Sequence, residues 1–158
     1  MLNWQKKGLV YHSSGSQEWS RSHTQLPIVD ASREGRWRIY FATRDALGRS
    51  NISYIEVEAG HPANILYKHD RTLLPLGGLG AFDESGIMPL SLVVHEGRHY
   101  LYYAGWSLKV TVPYQNSIGL AVSDDCGETW VKQGEGPLFG TLLHEPHFTG
   151  TAYVAVEG

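Results

Sequence analysis

Residues 27–42, PIVDASREGRWRIYFA, recur further along the chain as residues 89–104, PLSLVVHEGRHYLYYA, with no gap. Proline, glutamate, glycine, arginine, tyrosine and alanine occupy matching positions in the two copies. A third copy begins at residues 152–158, AYVAVEG. A repeat of this period, made of short apolar runs joined by turns, is typical of radially arranged sheets, because one sheet cannot bury both of its faces alone. The repeat therefore predicts an all-β fold, a β-propeller.

Each copy contains four apolar or alternating runs separated by turns, which is the content of one propeller blade. The runs are 26–31, 37–43, 51–57 and 64–68 in the first copy, and 89–95, 100–106, 117–123 and 129–133 in the second. Near the N-terminus, residues 4–8, WQKKG, match residues 130–134, WVKQG, and so predict the outer strand of another blade. No sustained helical periodicity interrupts this pattern, so we expect almost no helix.

The repeat divides a single partial propeller domain into four segments. Residues 1–26 form an outer strand of the closing blade and the loop that leads into blade 1, which spans 27–70; residues 71–140 hold the connection and blade 2, and residues 141–158 start blade 3. A propeller of four to eight blades at this repeat length needs roughly 250 residues or more, and the chain has 158. Either the natural chain continues, or copies of a complete chain associate to close the ring.

The composition excludes several classes of partner. Thirteen Lys and Arg against 16 Asp and Glu give a net charge of -3, so the chain lacks the basic surface that nucleic-acid binding uses. The single cysteine, Cys126, cannot form an intramolecular disulfide. No apolar run approaches the ~20 residues of a membrane span, and the first residues lack the apolar core of a signal peptide. We therefore expect a cytoplasmic protein with neither a nucleic-acid nor a membrane partner.

Residues 123–130, SDDCGETW, fit the Asp-box pattern Ser-x-Asp-x-Gly-x-Thr-Trp at every specified position. In such a turn Asp125 accepts backbone hydrogen bonds, Gly127 takes a positive φ, and Trp130 fills the space between sheets. The pattern predicts a structural turn and says little about function.

Three acidic residues are candidate catalytic residues. Asp83 and Glu84 come just before the first strand of the second blade, and Glu145 follows Asp83 at the offset of the repeat. Loops that lead into the innermost strands of a propeller converge at the mouth of its central funnel, so we expect these carboxylates to face one another. Glycoside hydrolysis uses two carboxylates, one as acid and the other as base or nucleophile. The alternative is that Asp83 caps a turn and Glu145 is a solvated loop residue.

Residues near the same funnel mouth are candidates for substrate binding. Arg44 can hold a ligand carboxylate or phosphate, whereas Asp45 beside it either lines the site or only fixes the turn. The longer connection of the second blade adds Trp106, Tyr114 and Asn116. Aromatic faces stack on sugar C–H surfaces and an amide bonds sugar hydroxyls. The alternative is an ordinary packed loop.

Three further polar residues precede inner strands and are added to the substrate-binding set. His23 and Gln25 stand before the first inner strand, and His147 stands near the start of the third copy. His144 and His147 lack the i, i+4 spacing of a helical zinc site, and no further ligands accompany them. We therefore predict no metal and no cofactor.

Several stretches resemble bacterial propellers of the arabinanase, levansucrase and invertase type, which are five-bladed relatives of glycoside hydrolase families 32 and 43. The resemblance covers nearly the whole chain and corresponds to the N-terminal half of such a protein. The stretches that carry it are 25–27, 38–45, 48–50, 52–57, 86–89, 100–106, 112–114, 116–121 and 145–146. It implies a five-bladed propeller that acts on carbohydrate in its central funnel.

The carry-over of catalytic residues is incomplete. Family 43 enzymes place acidic residues directly before the proline of the first two inner strands, where this chain has Leu26 and Met88. The Asn-Asp-Pro-Asn motif of family 32 is absent, and Arg44-Asp45 resembles its Arg-Asp-Pro element without the proline. The acids would then be Asp83, Glu84 and Glu145, although none of the three stands at a family position.

The function expected from the sequence is that of a carbohydrate-active, glycoside-hydrolase-like propeller that binds or hydrolyses a glycan with paired carboxylates. The first alternative is a sugar-binding or scaffold propeller without catalysis, which Leu26 and Met88 favour. The second is a propeller that binds proteins.

Overall fold

The computed structural model describes residues 3–157, which fold into eight β-strands and no helix. The all-β prediction is therefore confirmed. Among the described residues no helix is long and apolar enough to cross a membrane. The strands are β1 (Ser22–Asp30), β2 (Arg36–Arg44), β3 (Ser50–Glu58), β4 (His61–Lys68), β5 (Gly86–His95), β6 (Arg98–Leu108), β7 (Tyr114–Ser123) and β8 (Val131–Lys132).

The strands form two antiparallel meanders, blade 1 (β1 to β4) and blade 2 (β5 to β8). A single parallel pair, Ser50 with Gly86, joins them into one open sheet. Seven of the eight predicted runs overlap the observed strands closely, whereas β8 covers only two residues of the predicted run 129–133. The structure thus shows the repeat directly, since each copy folds into four antiparallel strands.

The main core lies between the two blades. Blade 1 contributes Tyr40 and Tyr54, and blade 2 contributes Leu101, Tyr103 and Trp130, all nearly inaccessible to solvent. Tyr40 meets Trp130 edge to face, with ring centroids 6.0 Å apart, an arrangement that adds to the area-based gain of burial. The aromatic packing fixes the position of blade 2 relative to blade 1.

The turn at residues 123–130 holds Trp130 in this core. The carboxylate of Asp125 accepts hydrogen bonds from the backbone N–H of Thr129 (2.8 Å) and from its hydroxyl (2.6 Å). These hydrogen bonds from Thr129 lower the pKa of Asp125 to about 2. Gly127 has a φ of 79° and lies against the Tyr40 hydroxyl, where a Cβ would collide. Both features are structural, as the sequence pattern predicts.

An ion cluster around the buried guanidinium of Arg38 joins the blades beside this turn. Arg38 donates to Glu56 (2.7 Å), to Glu128 (2.6 Å) and to the carbonyl of Gly127 (2.7 Å). Burial opposes the ionisation of Glu56, yet the hydrogen bonds from Arg38 and Arg36 outweigh it and lower the pKa of that carboxyl. The cluster therefore holds its charges in paired form across the blade interface.

The two ends of the chain differ from their predictions. Residues 4–8 and residues 152–157 form no strand. Val10 and Tyr11 instead pack beside Phe41 on the outer face of blade 1, and the backbone of Val154 bonds the hydroxyl of Ser91 on β5. Met1, Leu2 and Gly158, which belong to the predicted first and last segments, lie outside the described residues.

Candidate functional site

A cavity of about 340 Å³ opens where β2 and β6 end and β7 begins. It gathers four of the predicted substrate-binding residues, which approach from both blades. Its lining consists of Arg44, Met88, Trp106, Leu108, Pro113, Tyr114 and Asn116.

The repeat explains why these residues meet. Arg44 and Trp106 stand at the same place in successive copies. The parallel pair between Ser50 and Gly86 brings the ends of the two blades together, and the indole N–H of Trp106 donates to the Ser50 hydroxyl at 2.6 Å. A Cβ on Gly86 would collide with both of these side chains, so the close approach requires glycine there.

A second cavity of about 550 Å³ adjoins the first and shares Pro113 and Tyr114 with it. The ring of Tyr114 lies edge to face with Trp106 (6.4 Å) and also packs beside Phe148 (6.1 Å). We call the surface that lines the two cavities the aromatic cleft. The residues that only the second cavity adds are Val112, Gln115, Pro146, His147 and Phe148.

Two polar atoms in the first cavity are buried without a hydrogen-bond partner: Nε of Arg44 and Oδ1 of Asn116. The guanidinium of Arg44 makes one hydrogen bond within residues 3–157, from Nη1 to the carbonyl of Gly48 at 3.1 Å. Most buried polar atoms in folded proteins are paired, because an unpaired one costs about 1–3 kcal/mol. Two of the five such atoms among the described residues thus belong to side chains that line this cavity.

The cleft is free of acidic side chains among the described residues that line it. Asp45, next to Arg44, is occupied by its own turn: it accepts the backbone N–H groups of Leu47 (2.9 Å) and Arg49 (2.8 Å) and the Nε of Arg49 (2.9 Å). Asp45 thus fixes its own turn, as the alternative interpretation of this residue expects. A role of Asp45 in ligand binding stays a prediction that these hydrogen bonds do not favour.

Asp83 lies elsewhere, in the connection that leads into β5. Its carboxylate is buried, pairs with the ammonium of Lys132 at 2.6 Å and accepts the Tyr103 hydroxyl at 3.3 Å. Burial, followed by the charge of Asp83, raises the pKa of Tyr103. Asp83 borders a separate cavity of about 630 Å³ with Lys132 and Glu135. This is the geometry of a structural ion pair.

The other two candidate acids also stand apart from Asp83. Glu84 accepts the backbone N–H of Gly80 at 2.6 Å within its own loop. Glu145 is exposed and pairs through its backbone with Leu142, just before Pro146 of the cleft. Within residues 3–157 no hydrogen bond and no shared cavity joins Glu145 to Asp83. The catalytic roles of all three stay predictions.

The remaining predicted residues border the cleft to different degrees. His147 lines the second cavity, and the amide of Gln25 contacts the sulfur of Met88 at 3.8 Å on the wall of the first. His23 is exposed at the start of β1 and bonds its neighbour Ser22. Phe148 is the aromatic that the sequence interpretation missed, because the segment 141–157 forms no strand whose place the repeat would fix.

The described residues contain no group of three or more His, Cys, Asp or Glu that could hold a metal ion. A scan of known protein families finds no match to the chain. Two uncharacterized proteins of Mycobacterium tuberculosis, from strains CDC 1551 and H37Rv, are each 39% identical over 157 residues, which is 99% of this chain and 52% of theirs. The chain therefore spans about half the length of the curated relatives that it matches.

Solved structures show the fold. A family 117 glycoside hydrolase of the marine bacterium Zobellia galactanivorans superposes with a TM-score of 0.57 at 18% identity, over 78% of this chain and 36% of that one. BT0996 in an RGII complex gives a TM-score of 0.58 at 16% identity, over 85% and 42% respectively. The neighbours are β-propellers, so the two blades belong to a propeller fold of the kind found in glycoside hydrolases.

Proposed function

We propose that this protein binds a glycan in the aromatic cleft, as the ligand-binding part of a glycoside-hydrolase-like propeller. One observation carries the proposal: Trp106, Tyr114, Arg44 and Asn116, two aromatic and two polar side chains, line one cavity. Aromatic faces and unpaired amide and guanidinium groups together match the alternating C–H and hydroxyl surfaces of a sugar.

The dimensions of the cleft agree with this role. Its two cavities measure about 340 and 550 Å³, and both fall in the range of roughly 300–1,000 Å³ that small-molecule sites occupy. Tyr114, which lies between them, keeps 46% of its surface exposed. An exposed ring at the junction of two cavities offers a stacking platform to a chain of more than one sugar.

We propose that the whole protein is a five-bladed propeller. The relatives are about twice as long as this chain, which gives room for about five copies of the repeat.

Hydrolysis is the second candidate function, favoured by the glycoside hydrolases among the structural neighbours. It needs two carboxylates roughly 5–9.5 Å apart, and no described residue lining the cleft is acidic. Glu145, beside Pro146, is the candidate acid nearest to the cleft in sequence. Binding without catalysis therefore stands first for this chain.

The test replaces Tyr114 by alanine and measures binding to an immobilised glycan panel and then by calorimetry. Losing a stacked ring weakens binding by about 0.5–1.5 kcal/mol, so we expect affinity to fall roughly 2- to 13-fold. Tyr67→Ala is the matched control, since Tyr67 is 44% exposed on β4 outside the cleft. Equal affinities of the wild type and both variants for every bound glycan, or no bound glycan at all, would overturn the proposal.

A further inference from the structure

We propose that the glycan carries an oxyanion, a carboxylate or a sulfate or phosphate ester, which binds Arg44. This inference rests on the proposed function, because it names the class of sugar that the aromatic cleft takes. It starts from a difference in charge pairing between Arg44 and the other arginines of the chain.

Six arginines lie within 4 Å of a carboxylate: Arg33, Arg36, Arg38, Arg49, Arg71 and Arg98. Within residues 3–157, Arg21 and Arg44 have no such partner, and Arg21 is exposed, so water solvates it. Arg44 is half-buried. Withdrawing an unpaired guanidinium from water has a free-energy cost that a bound anion offsets.

The donors that Arg44 leaves free suit an oxyanion. Nη1 is engaged by the Gly48 carbonyl, whereas Nε has no partner and Nη2 makes no hydrogen bond to a described residue. Nε and Nη2 form the edge of the guanidinium that binds carboxylate and phosphate oxygens in a bidentate manner. A sugar hydroxyl can accept from one of these donors, but only an oxyanion also balances the charge.

The surroundings of Arg44 add no competing acid. Asp45 is the nearest acidic residue in sequence, and both of its carboxylate oxygens accept hydrogen bonds from its own turn and from the side chain of Arg49. The guanidinium carbon of Arg44 lies over the Trp106 ring, 5.6 Å from its centroid, so this cation–π contact orients Arg44 at the wall of the first cavity. Asn116 supplies an unpaired acceptor, Oδ1, for a sugar hydroxyl.

The experiment is a calorimetric titration with matched trisaccharides that share linkage and stereochemistry: a trimer of galacturonic acid, the neutral trimer of galactose, and the same galactose trimer with one sulfate ester. We expect at least one charged trimer to bind about tenfold or more tightly than the neutral one, since a charge-assisted bidentate contact is about twice as strong as a neutral one. The carboxylate and sulfate arms show which oxyanion the site prefers.

Arg44→Gln is expected to weaken binding of the charged trimer about tenfold more than binding of the neutral trimer, and so to abolish the preference. Arg71→Gln makes the same change of charge at an exposed residue outside the cleft and is expected to keep the preference. If Arg44→Gln fails to fold, Arg44→Lys replaces it, and we then expect a partial loss of the preference because lysine lacks the fork.

The outcomes separate the two proposals. Equal binding of charged and neutral trimers would overturn the oxyanion inference and leave glycan binding intact. A preference that survives unchanged in the folded Arg44 variant would overturn it as well. Absence of binding by all three trimers, together with an empty glycan panel, would remove the proposed function itself.

Discussion

Strand β2 carries an arginine near its start and another at its end, and their surroundings are opposite. Arg38 is buried and satisfied by Glu56, Glu128 and the Gly127 carbonyl. Arg44 donates one side-chain hydrogen bond, to a backbone carbonyl, and within residues 3–157 it pairs with no carboxylate. Folding alone favours pairing of buried charge, so the first arginine serves the stability of the blade interface. In our proposal the second binds a ligand, so the strand has a structural end at Arg38 and a functional end at Arg44.

The largest effect is expected from Arg38→Met compared with Arg44→Met. Removing Arg38 leaves Glu56 buried without its main partner, which costs about 3–5 kcal/mol of the free energy of unfolding. Removing Arg44 breaks no ion pair but does remove its hydrogen bond to the carbonyl of Gly48, so we expect a loss of about 0.5–1.5 kcal/mol. Chemical denaturation of the two variants measures both values. Equal losses would contradict the division of β2 into a structural and a functional end.

The repeat explains which parts of the candidate site can be predicted from the sequence and which cannot. A constant offset between copies fixes positions on strands, so it places Arg44 and Trp106 at equivalent ends of neighbouring blades and predicts their convergence. The same offset relates Asp83 to Glu145, but both residues lie in connections between strands, where the offset does not determine the position of a side chain. The connection before β5 places Asp83 against Gly105 of β6, where a Cβ would collide with it. In that position the carboxylate of Asp83 pairs with Lys132.

A smaller effect is expected from Asp83→Asn. The change removes the charge that pairs with Lys132 and leaves a partly buried ammonium without its acid, so we expect the free energy of unfolding to fall by about 1–3 kcal/mol. Asp124→Asn is the control, because Asp124 forms a similarly short pair with Arg98 at the exposed surface, where such pairs contribute about 0–1 kcal/mol. Unchanged stability in Asp83→Asn would contradict a structural role of Asp83 and favour its predicted role as a catalytic acid.

The smallest effect concerns the pH dependence at the structural end. Thr129 holds the pKa of Asp125 at about 2, below its ordinary value of 3.8. A carboxyl with a depressed folded pKa adds stability above its unfolded pKa and loses it as pH falls through the folded one. We therefore expect the wild type to lose more stability than Asp125→Asn between about pH 4 and 2.

Thermal unfolding at a series of pH values measures this difference. Glu56 and Glu128, whose pKa values are also lowered, contribute equally to the wild type and to Asp125→Asn, so comparing the two isolates Asp125. Parallel pH profiles of the two proteins would show that the turn does not depend on the ionised carboxylate. Arg44→Met is expected to leave the profile unchanged, which extends the contrast between the two ends to acid stability.

The central claim is that ligand binds at the end of β2 where polar atoms lack partners. Nuclear magnetic resonance titration of the full chain with the galacturonic acid, galactose and sulfated galactose trimers locates that contact directly. We predict that the binding trimer shifts the indole N–H of Trp106, the Nε–H of Arg44 and the backbone N–H of Asn116. Shifts confined to the separate cavity beside Asp83 and Lys132, with those three signals unmoved, would contradict it.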